Sequence, residues 1–288
     1  MKSAPVITAT IASQAFPTSR HPPINPNGDV PVENNPAPWI GALRHSHETL
    51  RALVEPLDEG QLEQPSYDSE WSVAQVLSHL GSQAEIFGLF LDASLDGKEA
   101  PGREAFGPIW DTWNAKTPQA QASDSLRADQ ATLERFESLD ADQLATLHLH
   151  LFGTDLDAAG LARMRVGEHA VHTWDVAVAL DPAATVEPDA VGLLVDTLGQ
   201  LAARTGKAEG KQRRLLVTTT DPDRQFVLET GEAVTLTPAD GEQGLPELRL
   251  PAEALVRLVY GRLDPAHTPP AEASEVDLDE LRQLFPGF

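Results

Sequence analysis

The sequence predicts an α+β protein: an N-terminal four-helix bundle followed by a small C-terminal α+β domain. Between Trp39 and Leu180, apolar residues recur at three- and four-residue steps in long runs, the period of helices that bury one face. After Pro188 the texture shifts to short apolar and β-branched runs separated by turn residues. The 288 residues, 41% of them apolar, suffice for a sizeable core. Residues 1–36 are expected to form a flexible proline-rich arm, 37–182 the bundle and 183–288 the second domain.

The arm carries seven prolines in its 36 residues, each removing a backbone donor and biasing its predecessor away from helix. Lys2 and the apolar stretch up to Ala12 faintly resemble a signal segment, but Pro5 and the threonines interrupt it. The first helix is expected from Trp39, with Ile40, Leu43, His47, Leu50, Leu53 and Val54 on its stripe, until Pro56 ends it. Residues 58–70 read as polar and turn-rich. Ser72 is then a candidate N-cap for a second helix whose stripe runs from Val73 through Leu80 and Phe87 to Leu95. A third helical region begins near Ile109 and Trp110, with a break expected at Pro118 and continuation through Leu126, Leu133 and Phe136. Residues 147–152 alternate, as a short strand or connector would. Thr154 or Asp155 is expected to cap the fourth helix, which runs to Leu180 before Pro182. Beyond lie one amphipathic helix over Val191–Leu201, strands at 214–220, 225–228, 233–236 and 247–250, and a helix at 252–260.

Lys plus Arg number 21 and Asp plus Glu 44, a net charge of −23. That field repels phosphate backbones and anionic lipid heads, so neither nucleic acid nor membrane is an expected partner. With no cysteine, disulfides, thiolate zinc sites and a cysteine nucleophile are excluded. No stretch is long and apolar enough to span a membrane. Neither a glycine-rich phosphate loop nor a Gly-x-Ser-x-Gly elbow occurs. A cytoplasmic enzyme acting on a small molecule, monomeric or homodimeric, is the expectation.

The stretch Gly167–Asp175 carries the chemistry. Glu168 and His172 stand one helical turn apart on one face. Such pairs are common on solvated faces, but here Val166, Ala170, Val171, Trp174 and Val176 surround the pair, and a carboxylate among apolar residues needs a partner. His79, beside the stripe of the second helix, is the best third ligand. Two histidines and one carboxylate form a known catalytic zinc set that leaves a fourth position open. Zinc is expected, with nickel, iron or manganese as alternatives. Asp175, three residues after His172, is an outer acceptor candidate. Of the other histidines, His45 and His47 read as surface residues of the first helix, and His148 and His150 as surface or packing residues of a strand. His169 points about 100° away from Glu168 and is a weak ligand candidate.

Two motifs carry a family resemblance. Trp71-Ser72-Val73-Ala74-Gln75-Val76-Leu77-Ser78-His79-Leu80 resembles the second-helix motif of DinB-like metal-binding bundles. Arg165-Val166-Gly167-Glu168-His169-Ala170-Val171-His172-Thr173-Trp174-Asp175 resembles the fourth-helix motif of one branch, the mycothiol-dependent maleylpyruvate isomerase family, which has Glu where many relatives have His. The resemblance covers residues 37–265, including a C-terminal part similar to sterol-carrier-type folds. It implies zinc bound by His79, Glu168 and His172, mycothiol as the thiol cofactor, and a functional C-terminal arginine at Arg262, with Arg249 and Arg257 as rivals. The implied reaction is cis–trans isomerisation of a maleylpyruvate-like unsaturated acid by thiolate addition and elimination. The alternatives are a mycothiol S-transferase for small electrophiles, which shares the nucleophile, and a non-enzymatic metal-binding protein.

Overall fold

The computed structural model describes residues 35–287 apart from positions 69, 152 and 209. The proline-rich arm lies outside the described residues, except at its end. There the expected boundary moves: Asn35 caps α1 (Pro36–Val54) through its side chain, which accepts from the Ala37 amide at 3.1 Å. Pro36 occupies the first turn, where a missing N–H costs nothing.

The bundle consists of α1, α3 (Val73–Leu95), α5 (Pro118–Ser138) and α7 (Ala158–Leu180). Between α1 and α3, the stretch expected to be turn-rich also holds a one-turn helix, α2 (Glu59–Glu63), started by an Asp58–Gln61 capping box. The break at Pro118 is present. It separates α4 (Gly107–Asn114) from α5, and Thr117 caps the latter. A short α6 (Ala141–Thr146) leads into a hairpin of β1 (His148–Leu151) and β2 (Thr154–Asp157). Thr154 and Asp155 are therefore strand residues. The cap of α7 is Asp157, whose carboxylate accepts from the Gly160 amide at 2.7 Å.

The expected helix over 191–201 is broken in two. α8 (Pro188–Leu194) and α9 (Leu198–Thr205) are joined by a 3-10 turn at Val195–Thr197. The turn lets Gly199 approach the sheet closely: a Cβ there would lie 2.4 Å from the Leu236 carbonyl oxygen. The sheet comprises β3 (Arg213–Thr220), β4 (Arg224–Thr230), β5 (Thr235–Pro238), β6 (Glu247–Pro251) and β7 (Glu272–Ser274), in the order β5-β4-β3-β6-β7. β3 and β6 run parallel, and the other pairs are antiparallel. α10 (Ala252–Val259) follows β6 directly, and α11 (Leu278–Leu284), which the sequence reading did not assign, closes the chain. The expected α+β class is the observed one.

One apolar core runs through both parts. It joins Trp39, Leu43, Phe90, Phe136 and Trp174 of the bundle to Val191 and Leu194 of α8, Leu215 and Val217 of β3, and Leu255 and Leu258 of α10. Each such side chain contributes about 1.5–3 kcal/mol when fully buried. α8 and α10 thus tie the sheet to the bundle, and the chain leaving α10 reaches back to α7.

Candidate metal centre

α3 and α7 pack side by side with their contacts running in opposite chain directions: Arg165 meets Gln83, Glu168 meets both Gln83 and His79, and His172 meets His79. Start signals fix the register of each helix. Ser72 and Gln75 form a reciprocal capping box on α3, with bonds of 3.3 and 2.8 Å. Gly81 on α3 seats the face of Trp113, leaving no space for a side chain: a Cβ there would lie 2.2 Å from the ring.

On the facing sides of the two helices, one donor atom each from His79, Glu168 and His172 lies within 4.8 Å of the others. Glu168 Oε2 is 3.7 Å from His79 Nε2 and 3.8 Å from His172 Nε2. Those gaps are too long for hydrogen bonds. They are close to the roughly 3.3 Å that separates tetrahedral ligands held about 2.0–2.1 Å from zinc. His172 Nδ1 is 2.8 Å from Asp175 Oδ2. That bond assigns the proton to Nδ1 and turns the Nε2 lone pair toward Glu168, where a cation between them would satisfy both. The donor set and its spacing fit a divalent ion.

The surroundings set the charge states. Burial pushes the His79 imidazole below its usual range, keeping it neutral as a ligand must be. Burial also disfavours the Glu168 anion, but His79, His172 and the Gln83 amide outweigh this and hold the carboxyl well below the ordinary range. Burial likewise disfavours the Asp175 anion, but Arg262 and His172 outweigh it and hold the carboxyl below its usual range. The rings of Trp71 and His172 meet His79 edge-on, with centroids 5.4 and 4.7 Å away.

Arg262 reaches this site from the loop after α10. Its Nε and Nη2 approach the two oxygens of Asp175 at 3.3 and 3.2 Å, and Nη1 donates to the Tyr260 carbonyl at 2.7 Å. The two rival arginines lie elsewhere. Arg257 forks onto Glu253 at 2.7 and 2.8 Å and stacks 4.7 Å from the Trp174 ring centre, whereas Arg249 is exposed on β6. Arg262, Asp175, His172, Glu168 and His79 all line one cavity of about 190 Å³. Gly167 also lines it: a Cβ there would sit 2.4 Å from the Tyr260 hydroxyl, so glycine is what lets Tyr260, just after α10, seat against α7.

One histidine reading is corrected: His47 is 2% exposed, not a surface residue. His169 is fully buried and stands outside the His79–Glu168–His172 group, in keeping with its direction about 100° from Glu168. Both meet Asp129 of α5: His47 Nδ1 and His169 Nε2 each lie 2.7 Å from Asp129 Oδ2, while Arg165 donates to Oδ1 at 2.7 Å. Ser46 completes the cluster at His169 Nδ1, 2.7 Å away. Although these donors are close enough to be a metal-ligand group, one oxygen already serves both imidazoles and a guanidinium occupies the other. They form a buried polar network built on Asp129, in which His47 Nε2 and Arg165 Nε are left without a hydrogen-bond partner. His45, His148 and His150 are exposed as expected, but the hairpin also brings Asp155 to 2.9 Å from His150 Nδ1, a carboxylate that the linear spacing did not suggest.

Gln83 was not anticipated. One turn after His79 on the same face, it donates from Nε2 to Glu168 Oε2 at 2.7 Å and accepts from Arg165 at 3.0 Å. The Arg165 contact fixes which way the amide faces, and so fixes Glu168. Replacing Gln83 with leucine is expected to weaken divalent-metal binding about 10–100-fold, the usual cost of losing an outer partner, as read by competition titration against a chelator.

A family model for the mycothiol maleylpyruvate isomerase N-terminal domain matches residues 43–177. Those residues belong to that domain family. The span covers α1 through most of α7 and includes His79, Glu168 and His172. The crystal structure of the mycothiol-dependent maleylpyruvate isomerase superposes with a TM-score of 0.62 at 16% identity, covering 88% of this chain and 98% of that one. The isomerase fold therefore extends into the C-terminal region. A curated relative from Geobacillus thermodenitrificans (strain NG80-2), named "Putative metal-dependent hydrolase", is 48% identical over 42 residues. That match spans 15% of this chain and 24% of the relative. Among the described residues, no helix is long and apolar enough to cross a membrane.

Proposed function

We propose that this protein is a zinc-dependent enzyme that uses mycothiol to isomerise a cis double bond in a small unsaturated acid of the maleylpyruvate type. The observation that carries the reading is the convergence of His79, Glu168 and His172 in the cavity that also receives Arg262. Membership of the N-terminal domain family supports it. A metal held there supplies the charge that keeps a thiol deprotonated, and mycothiol supplies the sulfur nucleophile that this cysteine-free chain lacks.

The protein's own residues do the rest. Asp175 holds His172 in the tautomer that faces the centre. Gln83 orients Glu168. Arg262 presents a guanidinium whose bonds to Asp175, at 3.2 and 3.3 Å, are longer than the about 2.7–2.9 Å of a tight charge-assisted pair. It is positioned by Asp175 with N–H groups left to receive a substrate carboxylate. Low-molecular-weight thiols act where they are kept reduced, so we place the activity in the cytoplasm.

Product analysis tests the reaction. Zinc-loaded protein, mycothiol and maleylpyruvate are expected to give the trans isomer with the thiol pool unchanged. A product heavier by the mass of the thiol would instead identify an S-transferase, and no thiol-dependent product from either route would overturn the proposal.

A further inference from the structure

The cavity continues past the three ligand-type side chains. Toward the C-terminal half of α3 its wall becomes apolar: Ile86, Phe87 and Phe90 from α3, Phe106 and Trp110 at the start of α4, and Met164 from α7. The rings form an edge-on series, with centroids 5.6 Å apart for Phe87–Phe90, 5.8 Å for Phe90–Phe106 and 5.9 Å for Phe106–Trp110. The polar residues Asp68, Asp175 and Arg262 line the other end. Asp175 lies about one turn beyond His172 on α7, and Met164 about one turn before Glu168.

This asymmetry bears on what the site accepts. A second carboxylate pushed into the aromatic half would lose its water and gain no partner. Behind that wall, the buried Arg165 has its guanidinium carbon 5.6 Å from the Phe87 ring centre and is already engaged by Asp129 and Gln83, and the exposed Arg204, which also lines the cavity, is engaged as well. A phenyl or branched alkyl group would instead replace water against six apolar side chains. The whole cavity, ligand end included, is about 190 Å³, more than the apolar cavity of about 150 Å³ that takes up benzene.

We propose that the aromatic half of the cavity receives an aryl or branched-hydrocarbon substituent. The preferred electrophile is then an unsaturated acid with one carboxylate toward Arg262 and one apolar group toward Phe87 and Phe90. The inference rests on the metal- and thiol-dependent reading above; within that reading, an unsaturated acid bearing an aryl or branched-alkyl group is preferred to maleylpyruvate, whose second carboxylate this half of the cavity does not pair.

The test is calorimetric binding to the zinc-loaded protein of maleic acid and of its N-phenyl monoamide, which share a carboxylate and a double bond and differ by the phenyl group. The monoamide is expected to bind at least about tenfold more tightly, from apolar area buried. Trp110→Ala and Met164→Gln are each expected to lower the ratio of the two affinities at least about threefold, in proportion to the area lost. Both side chains are only partly buried, so both variants are expected to fold. Equal affinities for the two ligands, or a ratio unchanged in both variants, would overturn the inference. Tight monoamide binding without mycothiol-dependent turnover would sink the proposed reaction while leaving this pocket assignment standing. Turnover of maleic acid with no preference for the monoamide would do the reverse.

Discussion

Asp129→Asn is expected to destabilise the protein by about 3–5 kcal/mol, the usual cost of removing one member of a buried charged pair. The change keeps the side-chain shape and removes the charge. Arg165, with 0% of its side chain exposed, would be left without the anion it now contacts at 2.7 Å. An asparagine amide would also turn its own N–H groups toward either Arg165 or the imidazoles, opposing donor to donor. Urea unfolding measures the effect, provided the slope is unchanged. The difference from wild type also depends on pH. Burial disfavours the Asp129 anion, yet His169 and Arg165 hold its folded pKa well below the ordinary carboxylate value. A depressed carboxyl stabilises the fold above the unfolded pKa of about 3.9, and this is lost as pH falls through the folded value. His169 is lowered too, chiefly by burial, so protonation of the unfolded chain costs stability as pH falls below about 6.5. Both make wild type less stable on acidification, but the His169 loss is shared by the variant and only the Asp129 contribution is absent from it. The gap between wild type and Asp129→Asn is therefore expected to be full near neutrality and to shrink below about pH 4. A gap that stays constant to pH 2 would show that the charge of Asp129 is not what stabilises the cluster.

This network also shows where the sequence was legible and where it was not. Periodicity located the four bundle helices because their stripes are long, and Ser72 marked the start of α3 through a local capping signal. Glu168 and His172 could be paired because their relation is set within one helix. His79 could be nominated from its place beside the stripe of the second helix and supported by a resembling motif, but nothing in spacing alone brings residue 79 beside residue 172. His47 is the instructive failure. It sits on the apolar stripe of α1 between Leu43 and Leu50, which marked it as buried, but its partner Asp129 is 82 residues away on a helix with a largely polar surface. Reading histidine as a surface residue outweighed the position. Arg165 and His169 were hidden for a related reason: α7 is packed on nearly every side, so it has no single polar face against which a buried charge would stand out. Gln83 was findable, being one turn from His79, but only by someone already asking what holds Glu168. The break at residues 195–197 depends on Gly199 meeting β5, a contact made only in the folded chain.

On the proposed ligand set, Glu168→Gln is expected to weaken zinc binding by more than about 100-fold, and Asp175→Asn by about 10–100-fold, since loss of an outer-shell partner alone costs the latter amount. The two variants separate ligation from orientation. Glu168 contributes the anionic oxygen 3.7 and 3.8 Å from the two imidazole nitrogens, and glutamine offers a neutral carbonyl in its place. The Asp175 carboxylate hydrogen-bonds His172 Nδ1 and Arg262. Its loss leaves all three donors present but lets His172 rotate and take the other tautomer, and it unpins Arg262 as well. Asp175→Asn is therefore expected to lower both zinc affinity and affinity for a carboxylate ligand, whereas Arg262→Lys lowers the second alone because a point charge cannot reproduce the fork. Zinc titration and maleate titration on the same samples measure both. The ligand set is wrong if Glu168→Gln binds zinc as wild type does. If instead Asp175→Asn loses carboxylate affinity but keeps zinc affinity, Asp175 serves Arg262 and not His172, and the tautomer of His172 is set by the metal itself.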